Sequence, residues 1–332
     1  MAFSRLIQRI LKARHAELDI AGILHYTAAG GRPPMSNPKL QGSTPHYPGT
    51  EAAQPAAPAR LSSGLRAEDV SRYHTFGFVV LRRFFDPRPL AEEIDRVMHD
   101  GLLSTHGVSR SGQIHFQYVP MMTATTPASL ALLDRTEAIA VAVLGGSVLP
   151  TRAKGVRYFG NTPWHVDSEL PIASAGILAY LGQLGPDNGA LLVLPGSHRP
   201  EFANSIREYG GVDMNATSMP SHVIRTEPGD VIALDEHLYH ASIGGVVRRQ
   251  WRTDFVVDPP GAEAEAQTKS YYAGIFPPEW DGGYDVDRYP SYGPDWRQSA
   301  RRAVARLESL GVYELAERQE EFARSRRRKE TH

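Results

Sequence analysis

The chain has 332 residues, a length suited to one large domain or two small ones, with a formal net charge of −1 and a pI near 6.9. That balance gives no general electrostatic drive toward nucleic acid or anionic lipid, and no apolar run is long enough to cross a bilayer. The absence of cysteine excludes disulfides and thiolate metal sites and is consistent with a reducing compartment such as the cytoplasm.

Three zones divide the chain. In the first, 1–63, Leu6, Ile7, Ile10 and Leu11 share one face with Arg5, Arg9, Lys12 and Arg14 around them, which predicts a short amphipathic helix. It suits packing on its own domain, on a second subunit or on a membrane surface. From Thr27 to Ser63 the chain is rich in Pro, Gly, Ala and Ser, the composition of an extended linker.

The second zone, 64–260, opens with helices near Ala67 to Tyr73, Pro89 to His99 and Ala128 to Leu144, the last stopped by Gly145-Gly146. Between the first two lies an apolar strand, Phe76 to Phe85. Further on, Pro163-Trp164-His165-Val166-Asp167 reads as a strand, in which His165 and Asp167 project together and Val166 points away. A second imidazole, His240, closes the segment that starts at Asp230. Its neighbour His237, three residues earlier, belongs to the opposite strand face. Two imidazoles and one carboxylate are the set that binds a redox-active iron on one face and leaves the opposite positions open. They also suit zinc. Bringing His240 to the other two from a distant strand fits a small barrel whose interior holds one ligand. The string His15-Ala16-Glu17 has the same spacing but lies in a helical stretch, where residues two apart do not share a face.

Other polar residues of this zone have ordinary readings. His198 follows Pro195-Gly196-Ser197 as a turn residue, Asp230 follows Pro228-Gly229 in the same way, and Asp235 with Glu236 reads as a solvated edge. Trp164 is expected to pack beside the histidines. The third zone, 261–332, carries a Tyr-, Trp- and Pro-rich stretch and then a helix from about Asp295 to Arg324, with Ala303, Leu307 and Leu310 in its apolar stripe and a basic, solvated tail.

Over about residues 65 to 258 the chain resembles the phytanoyl-CoA dioxygenase family of iron(II)- and 2-oxoglutarate-dependent oxygenases. The matching pieces are Pro163-Trp164-His165-x-Asp167, Asn188-Gly189-Ala-Leu, Pro195-Gly196-Ser197-His198, Pro228-Gly229-Asp230, His240-x-Ser242 and a later Arg252, together with the opening strand around Phe76 to Pro87. The resemblance implies a mainly β fold, a double-stranded β-helix (jelly-roll, cupin-like) core with flanking α-helices. It implies His165, Asp167 and His240 as iron(II) ligands, and Arg252 with Ser242 on the distal carboxylate of 2-oxoglutarate. A guanidinium suits that carboxylate because its planar donor pair matches carboxylate geometry. The interval from His240 to Arg252 is about one residue longer than the family pattern, and Arg248 and Arg249 lie nearby, so Arg249 is the alternative.

The reaction so implied uses dioxygen, releases succinate and carbon dioxide, and oxidises an unactivated C–H bond of a small molecule, with a place in specialised metabolism expected. Asp167, retained where related halogenases carry a small residue, argues for hydroxylation or a kindred oxidation. Arg157, Gln117 and His115 are the expected substrate contacts, and no catalytic acid or base is needed. Neither a nucleic acid nor a membrane partner is expected. Two alternatives stay open at this point: a zinc hydrolase or isomerase on the same fold, which leaves Arg252 and Ser242 without a purpose, and a non-catalytic binding protein that has kept the fold.

Overall fold

The computed structural model describes residues 64–103, 116–208, 219–245 and 247–330, and the statements below concern those residues. The expected amino-terminal helix and linker, and His115, lie outside them. The described residues belong to one compact unit, Arg60–His332.

Its first elements are α1 (Ala67–Phe76), β1 (Phe78–Leu81), α2 (Pro87–Gly101), β2 (Phe116–Pro120) and α3 (Pro127–Leu144). At the start of α2 the Asp86 carboxylate accepts from the Arg88 N–H, and Pro87 occupies the first turn, where a missing N–H costs nothing. The buried Glu93 of α2 accepts from the N–H groups of Ala128 and Ser129, both at 2.9 Å, so a side chain of one helix caps the next. Gly145 ends α3 in the left-handed conformation, as the glycine pair predicts.

There follow β3 (Val148–Pro150), β4 (Lys154–Phe159), β5 (Thr162–His165), β6 (Ser174–Tyr180), β7 (Leu191–Val193), α4 (Pro200–Glu208), β8 (His222–Ile224), β9 (Val231–Asp235), β10 (His240–Ser242) and β11 (Val247–Val257). One antiparallel sheet runs β1-β9-β6-β11-β4-β2, with β3 also paired to β11, and the other runs β5-β10-β7-β8. This is the jelly-roll-like core with flanking helices that the motifs imply. The closed barrel is not formed. Among the described strands no ladder joins the two sheets, and the interior is the gap between facing layers.

Alternation along β11 sorts its side chains. Trp251 and Phe255 face the helices, where the Trp251 indole N–H donates to Ser129 Oγ at 2.8 Å. Arg248, Gln250, Arg252 and Asp254 face inward. Where β6 and β9 oppose β7 and β8 the gap is apolar, filled by Leu178, Tyr180, Leu191, Val193, Ile232 and Leu234. Each such side chain contributes about 1.5–3 kcal/mol on burial. Where β4 and β11 oppose β5 and β10 the gap is polar. The apolar half thus fixes the spacing of the sheets, and charged groups are held at that spacing in the other half.

The chain ends in α5 (Ala262–Ile275), α6 (Pro294–Arg297), α7 (Arg302–Ser309) and α8 (Val312–Glu330). The single helix expected from Asp295 is broken twice, by the non-helical stretch before Arg302 and by Gly311 at φ 73°. Its apolar stripe is real, for Ala303, Leu307 and Leu310 are all buried. Arg306 ties this region to the core through Asp258 at 2.8 Å and Glu265 at 2.7 Å, and buried Arg152 donates to Tyr118 Oη at 2.7 Å and Gln319 Oε1 at 3.3 Å. Among the described residues no helix is long and apolar enough to cross a membrane.

Candidate metal centre

His240 of β10 lies directly opposite His165 of β5, with ring centroids 4.2 Å apart. The register between these strands shifts by one residue between His240 and Ser242. That irregularity lets Thr162 and His165, three apart in sequence, both face inward. Trp164 points the other way, onto Leu194 and Ala241, as its size demands. β5 stops at His165, and Asp167 follows in a bend whose N–H groups, from Asp167 and Ser168, donate to the Glu236 carbonyl at 2.8 and 3.1 Å. His165 and Asp167 therefore meet, but through a bend anchored on the segment after β9 rather than by strand alternation.

One ligand atom from each of His165, Asp167 and His240 lies within 4.8 Å of the others. His165 Nε2 is 3.6 Å and His240 Nε2 3.5 Å from the Asp167 carboxylate. Each imidazole has its Nδ1 on a backbone carbonyl two residues upstream, Pro163 at 2.8 Å and Leu238 at 2.9 Å. A carbonyl only accepts, so Nδ1 carries a proton and Nε2 is the nitrogen that faces Asp167. Burial lowers the His240 pKa to about 4, with His165 nearby adding to the effect, which keeps the ring neutral. Burial alone would raise the Asp167 carboxyl, but Arg252, then His240 and His165, outweigh it and hold the group ionised well below the usual range. A neutral imidazole at His240 and an ionised carboxylate at Asp167 are protonation states a divalent cation requires.

Arg252 stands against this cluster. Its Nη2 donates to Asp167 Oδ2 at 2.8 Å and its Nε to Asp254 Oδ1 at 2.7 Å, with Glu236 Oε1 at 3.8 Å. Asp167 and Asp254 together raise its pKa well above the ordinary value in spite of burial. Glu236, expected at a solvated edge, is 3 % exposed and accepts from Tyr271 Oη of α5 at 2.8 Å. The sequence could not place α5 against it. Burial, with Asp254 and Asp167 close by, raises the Glu236 pKa to about 8.

Four residues before Arg252 on the same face, Arg248 lies in a different setting. It is 2 % exposed, donates to the Gly160 carbonyl at 2.8 Å and to Thr162 Oγ1 at 3.3 Å, and its Nε has no partner. No carboxylate pairs with it among the described residues, and burial lowers its pKa. Gly189, at φ 89°, makes room for it, since a Cβ there would lie 2.6 Å from Arg248 Nη1. Ser242 sits at the same level, opposite Thr162, with its hydroxyl donating to the Gly189 carbonyl at 2.6 Å. Between the two arginines Gln250 is fully buried, and neither atom of its amide has a partner. A buried arginine without an anion and an amide without a bond both leave desolvation uncompensated.

Other sequence candidates fall elsewhere. Arg249 lies on the outer face of β11 and pairs with Asp95 of α2. Arg157 and Gln117 share its row across β4 and β2, on the side of the sheet away from the histidines, because odd positions of β11 face the helices. Both therefore lie away from the candidate metal centre. His237 has both ring nitrogens engaged, by Asp235 at 2.9 Å and the Leu170 carbonyl at 2.8 Å, and His198 bonds the His74 carbonyl. Sequence reasoning passed over Gln250 and treated Arg248 only as a neighbour. Their signal was the alternation Arg248, Gln250, Arg252, Asp254, which puts four polar side chains on one face of a strand.

Against known proteins, a profile of the phytanoyl-CoA dioxygenase family matches residues 73–246, just over half of the chain. An ectoine dioxygenase of Stutzerimonas stutzeri is 25% identical over 249 residues, covering 60% of this chain and 82% of that protein. Among solved structures, HygX of Streptomyces hygroscopicus with nickel and 2-oxoglutarate bound aligns with a TM-score of 0.47 at 20% identity, over 58% of this chain and 87% of its own. EctD of S. alaskensis with 2-oxoglutarate and 5-hydroxyectoine aligns with a TM-score of 0.45 at 21% identity, over 58% and 76%.

Proposed function

This chain belongs to the phytanoyl-CoA dioxygenase family, and from that premise we propose that it is an iron(II)- and 2-oxoglutarate-dependent oxygenase that oxidises an unactivated C–H bond of a small molecule, with hydroxylation the favoured outcome. One observation carries the reading: two imidazole Nε2 atoms converge on an ionised carboxylate beside an inward row of donors that lack an anion. Iron and the oxo acid, when bound, supply the chemistry, coupling dioxygen reduction to decarboxylation of 2-oxoglutarate to succinate and carbon dioxide.

The protein's part is to bind and orient. His165, Asp167 and His240 would hold the ion from one side and leave its remaining positions to cosubstrate and dioxygen. Arg248 anchors the distal carboxylate of 2-oxoglutarate. It sits level with Ser242, two residues along β10 from His240, about 7 Å by strand rise, which matches the reach of a five-carbon diacid. Gln250, on the way from Arg248 to Arg252, donates its amide to the same molecule. Ser242 joins them once its proton leaves the Gly189 carbonyl. Arg252 has another task, holding Asp167 so that one carboxylate oxygen faces the ion. A zinc hydrolase would leave the row from Arg248 to Gln250 without a use.

The test is reconstitution with iron(II) under argon. Addition of 2-oxoglutarate should give the weak visible charge-transfer colour of a chelated oxo acid, and oxygen should then release succinate. Tightly held zinc with neither signal would refute the oxygenase reading.

A further inference from the structure

Lys154 is the cation of this interior that no hydrogen bond explains. Across the sheet it is level with Arg252, on the inward face of β4. Its side chain is 20 % exposed, and the nearest carboxylate oxygen, Asp254 Oδ2, is 3.7 Å from Nζ. That is beyond hydrogen-bond distance, and Asp254 already takes the Arg252 Nε–H at 2.7 Å. Among the described residues the ammonium has no hydrogen-bonded acceptor, although burial makes one valuable. It is paired across the sheet with Arg252, whereas Arg248 pairs with Tyr158 four residues further along β4, so a cosubstrate anchored at Arg248 would leave it free.

Beside Lys154 the inward face of β2 and β4 carries aromatic rings. Phe116 pairs with Tyr158 at 6.0 Å between centroids and stacks on Tyr118 at 6.3 Å, and Tyr118 stacks on Trp280 at 5.3 Å. Lys154 Nζ is 5.9 Å from the Tyr118 ring. Phe116 is 44 % exposed, and Tyr158 and Trp280 are half-buried. The His165 side chain is 22 % exposed, so the triad also meets solvent. Phe116 thus begins a row of rings that runs from the sheet edge through Tyr118 toward Lys154.

We infer that the substrate is an organic carboxylate with an apolar or aromatic body, its carboxylate paired with Lys154 and its body laid along Phe116 and Tyr158. This deepens the oxygenase reading and rests on it for the position of the oxidised carbon, which must lie between Lys154 and the histidines. The charge-assisted bond to Lys154 is the recognition element, and the rings select for apolar bulk.

The test compares two probes, 3-phenylpropionate and its primary amide, on protein loaded with iron(II) and saturating 2-oxoglutarate under argon. Filling the cosubstrate subsite first keeps the acid away from Arg248. Binding is followed by quenching of tryptophan fluorescence, for which Trp280 is placed. The acid should bind about tenfold more tightly than the amide or better. Lys154→Met should abolish that preference while keeping the charge-transfer colour, and Lys154→Arg should restore it. Equal affinities, no saturable binding of the acid, or tighter binding of 2-phenylethylamine would overturn the inference. Absence of the colour in the wild type would instead sink the oxygenase assignment, and the acid–amide comparison would still read out Lys154.

Discussion

Arg252 donates directly to the Asp167 carboxylate, Nη2 to Oδ2 at 2.8 Å. A side chain in that position orients a metal ligand, since it takes one carboxylate oxygen and leaves the other for the ion. Substitution of Arg252 by Ala should therefore weaken metal binding about 10- to 100-fold, as loss of outer-shell partners does. It should also destabilise the fold by about 3–5 kcal/mol, because Asp167 and Asp254 lose their shared partner in the interior. Cobalt titration and urea unfolding read the two effects. Unchanged metal affinity with a raised KM for 2-oxoglutarate would restore Arg252 to the cosubstrate role that the family pattern suggests.

Arg248 should behave in the opposite way. Without its guanidinium the distal carboxylate has no cation, a loss of about 2–5 kcal/mol for a buried charge pair. Arg248→Ala should keep its metal and raise the dissociation constant for 2-oxoglutarate about thirtyfold or more. Titration of the charge-transfer colour measures this directly, and wild-type affinity in the variant would contradict it.

Gln250 gives a prediction with two signs. Its buried amide has no partner on either atom, so Gln250→Leu removes an uncompensated polar group of similar size. The cosubstrate-free protein should gain about 1–3 kcal/mol, seen as a higher Tm, while affinity for 2-oxoglutarate falls. A variant that is less stable and binds normally would assign Gln250 to the fold instead.

Burial depresses the Lys154 ammonium from 10.5 to about 8, against the opposing pull of Asp254 and with Arg252 and Arg152 adding to the fall. Asp167 and the Tyr118 ring also face it. The unfolded chain keeps the ordinary value and so binds more protons than the folded one between about 8 and 10.5, which means that this group makes stability rise with pH across that window. Below about 8 the cost of the buried charge is present in full. Lys154→Met lacks it, so the variant should exceed the wild type in urea midpoint near neutrality and the two should converge toward pH 10. A constant difference would show that Lys154 does not titrate there.

Periodicity and motif order carried much of this molecule. His165, Asp167 and His240 were legible because the Pro-Trp-His-x-Asp string is local, although a bend after β5 and not strand alternation brings Asp167 to His165, and the two-sheet core then provides their convergence with His240. Roles that depend on distant packing were not legible. Glu236 looked solvated until α5 brought Tyr271 onto it. Arg157 and Gln117 looked available because sequence alone does not say which face of β4 the helices cover. The carboxy-terminal helix broke at Gly311, whose positive φ a sequence can permit but not require.

A crystal soaked under argon with manganese(II) and 2-oxoglutarate, measured with anomalous scattering, tests the central claim most directly. One peak is expected within bonding distance of His165 Nε2, His240 Nε2 and an Asp167 oxygen, with the distal carboxylate of 2-oxoglutarate on Arg248 and the second Asp167 oxygen still on Arg252. A peak bound by other residues, or these three side chains pointing apart around no ion, would contradict it.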